Sequence, residues 1–297
     1  MSKNKWLARS YAFVTVLIWS TVYISTRHLL KNYTSMEIGG LRYSIAAVVL
    51  LFVSFLKREK HPKKKDLMLF FAGGFFGFGF YIIAFNIAAG LLPSGVCSFV
   101  VTTSSIFTTL LSSFFLREKL KVKEAVSLII QLAGVGVLTL TAGEISFNKG
   151  IVVMLSAALS LGVYNLIQRK LVARGYSAMQ ITTYCILCGI IWLVLGFVNA
   201  LTKIRTVTLA DIGSALYLGV IASAAAYYFW AKAMCLTDKT GNVSNFMFLI
   251  PFLTSIIGRI VFQEVPDVHM YIGGGLLTVG FLIYMYGGKA GKMEKEG

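Results

Sequence analysis

The chain has 297 residues, 57% of them hydrophobic, and a mean hydropathy of +0.77. A soluble globular protein of this length does not need so much apolar surface. The net charge of +16 would suggest nucleic-acid binding in a soluble protein. Here the basic residues lie mostly between the apolar stretches, as in loops at a membrane surface, so the composition excludes an ordinary soluble fold and we expect no nucleic-acid partner.

The apolar residues are grouped in stretches close to the roughly 20 residues that a helix needs to cross a hydrocarbon core. An all-α integral membrane protein with ten transmembrane helices is therefore predicted, with almost no room for a soluble domain. In chain order, the predicted helices 1 to 10 span residues 10–30, 36–56, 67–90, 94–116, 122–141, 150–168, 178–201, 210–234, 242–263 and 268–287.

The distribution of lysine and arginine predicts the orientation of these helices. If the N-terminus is cytoplasmic, the inside segments hold 20 basic residues and the outside segments hold 5. Basic residues are enriched in cytoplasmic loops of membrane proteins. We therefore expect a multi-pass protein of the plasma membrane with both termini in the cytoplasm.

An internal repeat is visible when the sequence is shifted against itself. A shift of 146 residues places Tyr81 on Tyr227 and Glu118 on Glu264, and a shift of 141 places Tyr23 on Tyr164. The chain is predicted to consist of two five-helix units, residues 1–143 and 144–297. Because five is odd, the second unit crosses the membrane in the opposite sense, and such inverted repeats place a substrate site near the midplane where the halves meet.

Several residues of this pattern resemble a known family. They are Trp19 in helix 1, the segment Leu41, Arg42 and Tyr43 in helix 2, Glu118 and Glu264 after helices 4 and 9, and Gly134 and Gly280 in the helices that follow. With this order and spacing, the chain resembles the EamA family of the drug/metabolite transporter superfamily. The resemblance implies ten helices in two similar units, and a central cavity lined by helices 1, 3, 4, 6, 8 and 9.

Aromatic and polar side chains within these helices are the candidates for substrate binding. Aromatic rings could form the walls of a cavity, and hydroxyl or amide groups could bind polar parts of a substrate. The alternative for each residue is packing against lipid or a neighbouring helix. The candidates are Trp19, Tyr23, Tyr81, Thr103, Tyr164, Asn165, Tyr227 and Asn245.

Charged residues within or at the ends of the helices are assigned structural or gating roles. These are Arg42, Glu118, Lys232, Arg259 and Glu264. We expect Arg42 to pair with Glu37 or reach outer water, and Arg259 to do the same near Glu264, while Lys232 reaches towards the cytoplasm. Every acidic residue lies near a helix boundary or in a loop, which argues against a carboxylate-driven proton antiporter.

Cys97, Cys185 and Cys188 fall within predicted helices, and Cys235 directly follows helix 8. The Cys185–Cys188 pair has no histidine or acidic neighbour, so packing is expected rather than metal binding, and no cofactor is predicted. The expected partners are the lipid bilayer and a small-molecule substrate, and a monomer is the expected oligomeric state. The first functional hypothesis is an alternating-access carrier that exports amino acids or related amphipathic metabolites. The alternatives are uptake or exchange of organic cations such as quaternary amines and, more distantly, a membrane-embedded enzyme or sensor.

Overall fold

A computed structural model of the chain describes residues 3–140, 149–263 and 268–293, and these ranges contain helices, turns and connecting segments but no β-strand. Helices lie at all ten predicted positions. They are α1 (Asn4–Leu29), α2 (Ser35–Leu56), α3 (Lys64–Leu91), α4 (Ser94–Phe115), α5 (Val122–Leu140), α6 (Lys149–Ala173), α7 (Ala178–Ile190 and Val194–Thr202), α8 (Leu209–Leu236), α9 (Gly241–Val261) and α10 (Val268–Met293).

Seven of these helices are long and apolar enough to cross a membrane: α1, α2, α3, α4, α6, α8 and α9. The protein is therefore a multi-pass membrane protein, while the number of ten crossings stays a prediction. Over the predicted span 178–201, α7 consists of two parts that meet at a bend of 68°. A glycine lies on each side of the bend, and each allows close contact with another helix. Gly189 packs on Phe78 of α3, and Gly196 packs on Met36 of α2.

Side-chain contacts at the helix ends define two faces of the bundle. On the N-terminal face, Lys5 pairs with Asp238 at 3.3 Å and Arg174 pairs with Asp66. On the opposite face, called the far face, Lys203 Nζ lies 2.6 Å from Glu37 Oε2. Each of these pairs joins a residue of the first five helices to one of the last five, so both ends of the bundle hold the halves together.

The repeat predicted from the sequence has local structural counterparts. Thr34 and Glu37 form a capping box at the start of α2 on the far face. Ser177 and Gln180 form the same capping box at the start of α7 on the N-terminal face. A capping box satisfies two backbone N–H groups that a helix start otherwise leaves unpaired. Equivalent helix starts thus lie on opposite faces, which is the arrangement of an inverted repeat.

A second counterpart is the irregular backbone within α3 and α8. Residues Phe75–Gly79 of α3 and Tyr217–Ala225 of α8 are π-helical, and the 146-residue shift overlays the two segments. Short π-helical segments within a longer α-helix frequently occur at functional sites. Within α3, Gly77 is required by close packing, because an added Cβ would lie 2.5 Å from the Tyr164 ring of α6.

The packing between helices follows the same two-fold relationship. The contact of α1 with α8 is matched by that of α6 with α3, and α2 with α8 by α7 with α3. The pairs α2–α7, α4–α9 and α5–α10 each join a helix to its own repeat partner. The core therefore lies between the halves rather than inside each one, and a site there receives side chains from both.

Candidate functional site

A narrow cavity lies at the junction of the two halves. The first half contributes α1 to α4 and the second half contributes α8 and α9. Its volume is about 30 Å³, room for one or two water molecules. The residues that line it are Trp19, Val22, Tyr23, Arg42, Tyr81, Phe85, Val101, Tyr227, Met247 and Ile250.

Aromatic rings in mutual contact form much of the cavity wall. Trp19 lies 5.1 Å from Tyr227, and Tyr23 lies 5.4 Å from Phe85, between ring centroids. Tyr81 continues the wall at 5.8 Å from Phe85. Aromatic pairs at these distances contribute about 0.5–1.5 kcal/mol each beyond their apolar burial. The repeat-related Tyr81 and Tyr227 thus face one cavity from opposite halves.

Arg42 carries a positive charge into this aromatic cavity. Its side chain is buried, with Nε donating to Ser223 Oγ at 2.5 Å and Nη2 donating to the Ala222 carbonyl at 3.3 Å. The expected pairing with Glu37 is wrong, because Glu37 caps α2 and binds Lys203. Residues five apart on a helix point about 140° away from each other, so one can enter the core while the other stays at the far face.

Beneath the cavity, towards the N-terminal face, a buried hydrogen-bond chain joins three helices. Trp230 Nε1 of α8 donates to Asn165 Oδ1 of α6 at 3.0 Å, and Asn165 Nδ2 donates to Thr108 Oγ1 of α4 at 3.0 Å. Thr108 in turn donates to the Ser104 carbonyl at 2.6 Å. These buried polar atoms are matched with one another, so this layer forms a specific floor rather than a free binding surface.

Four of the predicted substrate-binding residues line the cavity, and four lie outside its lining. Tyr164 packs in the floor at 5.1 Å from Phe78. Thr103 donates to the carbonyl of Val100, and Asn245 Nδ2 donates to the carbonyl of Gly241, both at 2.7 Å. The structure therefore brings together Trp19, Tyr23, Tyr81 and Tyr227 in the cavity, and places Asn165 in the floor.

The N-terminal face below the floor is closed by polar contacts between α4, α6 and the segment between α8 and α9. Glu118 Oε1 accepts from Thr240 Oγ1 at 2.7 Å. Arg169 donates to the carbonyls of Thr237 and Asp238 at 2.7 Å each, and its Nε lies 3.8 Å from Glu118 Oε1. Glu118 thus binds the segment that begins α9, at a junction between the halves.

The other charged candidates lie away from the cavity. Lys232 is half-buried on α8, with Nζ 5.9 Å from the Tyr228 ring centroid. Arg259 is exposed and lines a lateral groove with Tyr271 of α10. Glu264, the expected neighbour of Arg259, lies outside the described residues, so their pairing stays a prediction.

With this geometry established, comparison with known proteins identifies the family. The model of the EamA-like transporter family matches residues 6–140 and again 148–286. The chain belongs to the EamA-like transporter family. Its two matched segments correspond to the two halves that surround the cavity, and members of this family are transporters rather than enzymes.

Individual EamA-like relatives cover nearly the whole chain. The transporter YdfC of Bacillus subtilis (strain 168) is 28% identical over 94% of this chain and 90% of its own length. A "probable terminal-alkyne amino-acid exporter" of Streptantibioticus cattleyicolor is 23% identical over 91% of this chain and 90% of its own. A solved crystal structure with 19% identity has a TM-score of 0.70, covering 93% of this chain and 97% of that one. That last similarity shows the fold alone.

Sequence reasoning missed two features of this EamA-like cavity. The expected pairing of Arg42 with Glu37 overlooks helical periodicity and the Thr34–Glu37 capping pattern, both of which separate the two residues. Val101, Met247 and Ile250 carry no polar or aromatic side chain, so nothing in the sequence distinguishes them from core residues. The resemblance also implied that α6 lines the cavity, whereas its Tyr164 and Asn165 lie in the floor.

Proposed function

We propose that the chain is an alternating-access carrier of small amphipathic metabolites, with amino acids as the cargo class and export as the net direction. The observation that carries this proposal is the cavity at the junction of the halves. It is lined by side chains from six helices, and its two matched tyrosines come from opposite repeats. A site at such a junction becomes open to either side when one half rocks against the other.

The small size of the cavity supports the alternating-access part of the proposal. A space of about 30 Å³ is smaller than an organic metabolite, so we expect the halves to move apart when cargo binds. Separation on the N-terminal face breaks the Glu118–Thr240 contact. Separation on the far face breaks the Glu37–Lys203 pair. Each set of contacts is polar and crosses between the halves, so each can serve as a reversible closure.

The cargo class rests on the chemistry of the wall and on one relative. Aromatic rings bind the apolar part of an amphipathic solute, and a few polar groups fix its orientation. The relative from Streptantibioticus cattleyicolor bears the name of an amino-acid exporter, which supports the same class here. The excess of basic residues on the N-terminal face supports a plasma-membrane orientation with both termini in the cytoplasm.

Organic cations are the second candidate cargo. The rings of Trp19, Tyr23, Tyr81 and Tyr227 surround one space, and such aromatic groups attract cations through their faces. The Arg42 guanidinium in the same cavity repels a cation, so amino acids remain the favoured class.

A counterflow experiment tests the proposed function. Purified full-length chain is reconstituted in liposomes loaded with an unlabelled amino acid, and uptake of the labelled form is followed against protein-free liposomes. We expect transient accumulation for apolar amino acids such as L-phenylalanine. Absence of accumulation for every standard amino acid would contradict the cargo class. Export is tested separately in cells, where expression of the chain should speed amino-acid efflux relative to an empty vector.

A further inference from the structure

We propose that Arg42 is the anion-binding residue of the cavity and that the cargo carries a carboxylate which its guanidinium binds. This inference rests on the proposed transport function and names a charge requirement for its site. It depends on four observations, which concern the partners of Arg42, its depth, its repeat equivalent and the other charges near it.

The first observation is the set of partners that Arg42 has. The guanidinium donates to Ser223 Oγ and to the Ala222 carbonyl, and its Cζ lies 5.4 Å from the centroid of the Tyr43 ring. All three partners are uncharged. Among the ion pairs of the described residues none includes Arg42, and its expected partner Glu37 binds Lys203 instead. The positive charge is therefore held in place by neutral groups and is not neutralised.

The second observation is where this charge lies. Arg42 is only 4% exposed and belongs to the lining of the cavity. Burial of an unneutralised charge within a membrane protein is costly, and intramembrane ionisable residues mark substrate or ion pathways. An anionic group entering the cavity would supply the missing counter-charge. Arginine suits this task because its planar guanidinium offers several donors that match a carboxylate.

The third observation comes from the inverted repeat. The two capping boxes set an offset of 143 residues between α2 and α7, since Thr34 corresponds to Ser177 and Glu37 to Gln180. The same offset places Cys185 opposite Arg42, and Cys185 is fully buried. The equivalent position in the second half is thus occupied by a small uncharged side chain that is buried by packing. Helix packing alone does not require an arginine there, so its charge has another use.

The fourth observation limits the charge of the ligand. Arg42 is the one charged residue among those that line the cavity in the part of the chain that the structure describes. A single guanidinium balances one negative charge, which fits a carboxylate better than a doubly charged phosphate. The aromatic rings of Trp19, Tyr81 and Tyr227 then face the apolar part of the same molecule.

The test uses three solutes of similar shape and different charge. They are L-phenylalanine, with a carboxylate and an ammonium group, 3-phenylpropionate, with the carboxylate alone, and phenethylamine, with the ammonium group alone. Initial uptake rates are measured in proteoliposomes for wild type, Arg42→Gln and Arg42→Lys. Lys31→Gln is the matched control, because it removes an exposed positive charge from the far face.

We expect wild type to transport the two carboxylates and to discriminate against phenethylamine. Arg42→Gln should slow both carboxylates by about tenfold or more, the loss expected for a charged hydrogen-bonding group, without slowing phenethylamine. Arg42→Lys should retain part of the carboxylate rate, and Lys31→Gln should retain all of it. A merely structural Arg42 would instead slow all three solutes equally.

Other outcomes separate this inference from the function beneath it. If wild type carries phenethylamine as fast as L-phenylalanine, or if Arg42→Gln slows all three alike, the anion-binding role is wrong while transport stands. If wild type carries none of the three, and no other standard amino acid in the counterflow experiment, the proposed function fails and this inference falls with it. Should both Arg42 variants fail to fold, competition among the three solutes for wild-type transport still decides the charge preference.

Discussion

The indole of Trp19 lies 5.1 Å from the Tyr227 ring, and its Nε1 donates to the Ala222 carbonyl at 3.1 Å. This one side chain of α1 therefore lines the cavity and also binds the π-helical segment of α8. Arg42 donates to the same carbonyl. The wall of the candidate site and the joint between the halves are thus made by the same residues, so changes to one affect the other.

The first prediction concerns the Trp19 hydrogen bond. Trp19→Phe keeps an aromatic ring in the wall but removes the donor to Ala222, so we expect the free energy of unfolding to fall by about 1 kcal/mol. The melting temperature of the purified protein in detergent measures this change. Trp6→Phe is the control, because Trp6 is 67% exposed. Equal melting temperatures for both variants would show that the bond contributes nothing.

The floor of the cavity gives a second prediction. Asn165→Ala leaves the Trp230 Nε1–H without its acceptor in a buried layer, and an unpaired buried polar group costs about 1–3 kcal/mol. We expect a clear loss of thermal stability, measured by melting in detergent. Asn199→Ala, on an exposed part of α7, should melt like wild type. If Asn165→Ala and Asn199→Ala have the same melting temperature, the hydrogen-bond chain does not stabilise the protein.

Close helix packing supports a third prediction. An added Cβ at Gly40 of α2 would lie 2.4 Å from the backbone nitrogen of Phe197 in α7. Backbone atoms cannot move aside as a flexible side chain can, so Gly40→Ala should sharply reduce the yield of folded protein. At Gly213 of α8 an added Cβ meets nothing within 4 Å, and Gly213→Ala should fold normally. Size-exclusion profiles compare the two, and normal yield of Gly40→Ala would contradict the α2–α7 contact.

The fourth prediction concerns closure of the N-terminal face. Glu118→Ala removes the acceptor of Thr240, so the halves should separate more often on that face. The reporter is a cysteine at Ser112, a residue 1% exposed on α4, in a background without the native cysteines. A membrane-impermeant thiol reagent applied to the N-terminal face should label it faster in Glu118→Ala. Lys119→Ala, at an exposed neighbouring position, should leave the labelling rate unchanged. Equal labelling rates in Glu118→Ala and Lys119→Ala would show that Glu118 does not hold this face closed.

Hydropathy predicted the helices well because a membrane span needs a long apolar stretch whatever its neighbours are. It did not predict the bend in α7. Gly189 and Gly196 are needed there because other helices pack closely on them, and hydropathy carries no information about those contacts. The repeat located Tyr81 and Tyr227 because equivalent positions meet across a two-fold axis. Asn165 and Trp230 could not be separated from cavity residues, because a buried amide has the same sequence signal whether it binds cargo or another side chain.

The most direct test of transport through this cavity is the initial rate of L-phenylalanine uptake into proteoliposomes by Tyr81→Ala and Tyr227→Ala. Both variants are compared with wild type and with Tyr271→Ala, which alters a tyrosine that is 63% exposed on α10. If cargo passes through this cavity, both cavity variants lose most of the flux at equal reconstituted amounts, and Tyr271→Ala keeps it. Wild-type flux in both cavity variants would show that cargo does not pass through this cavity.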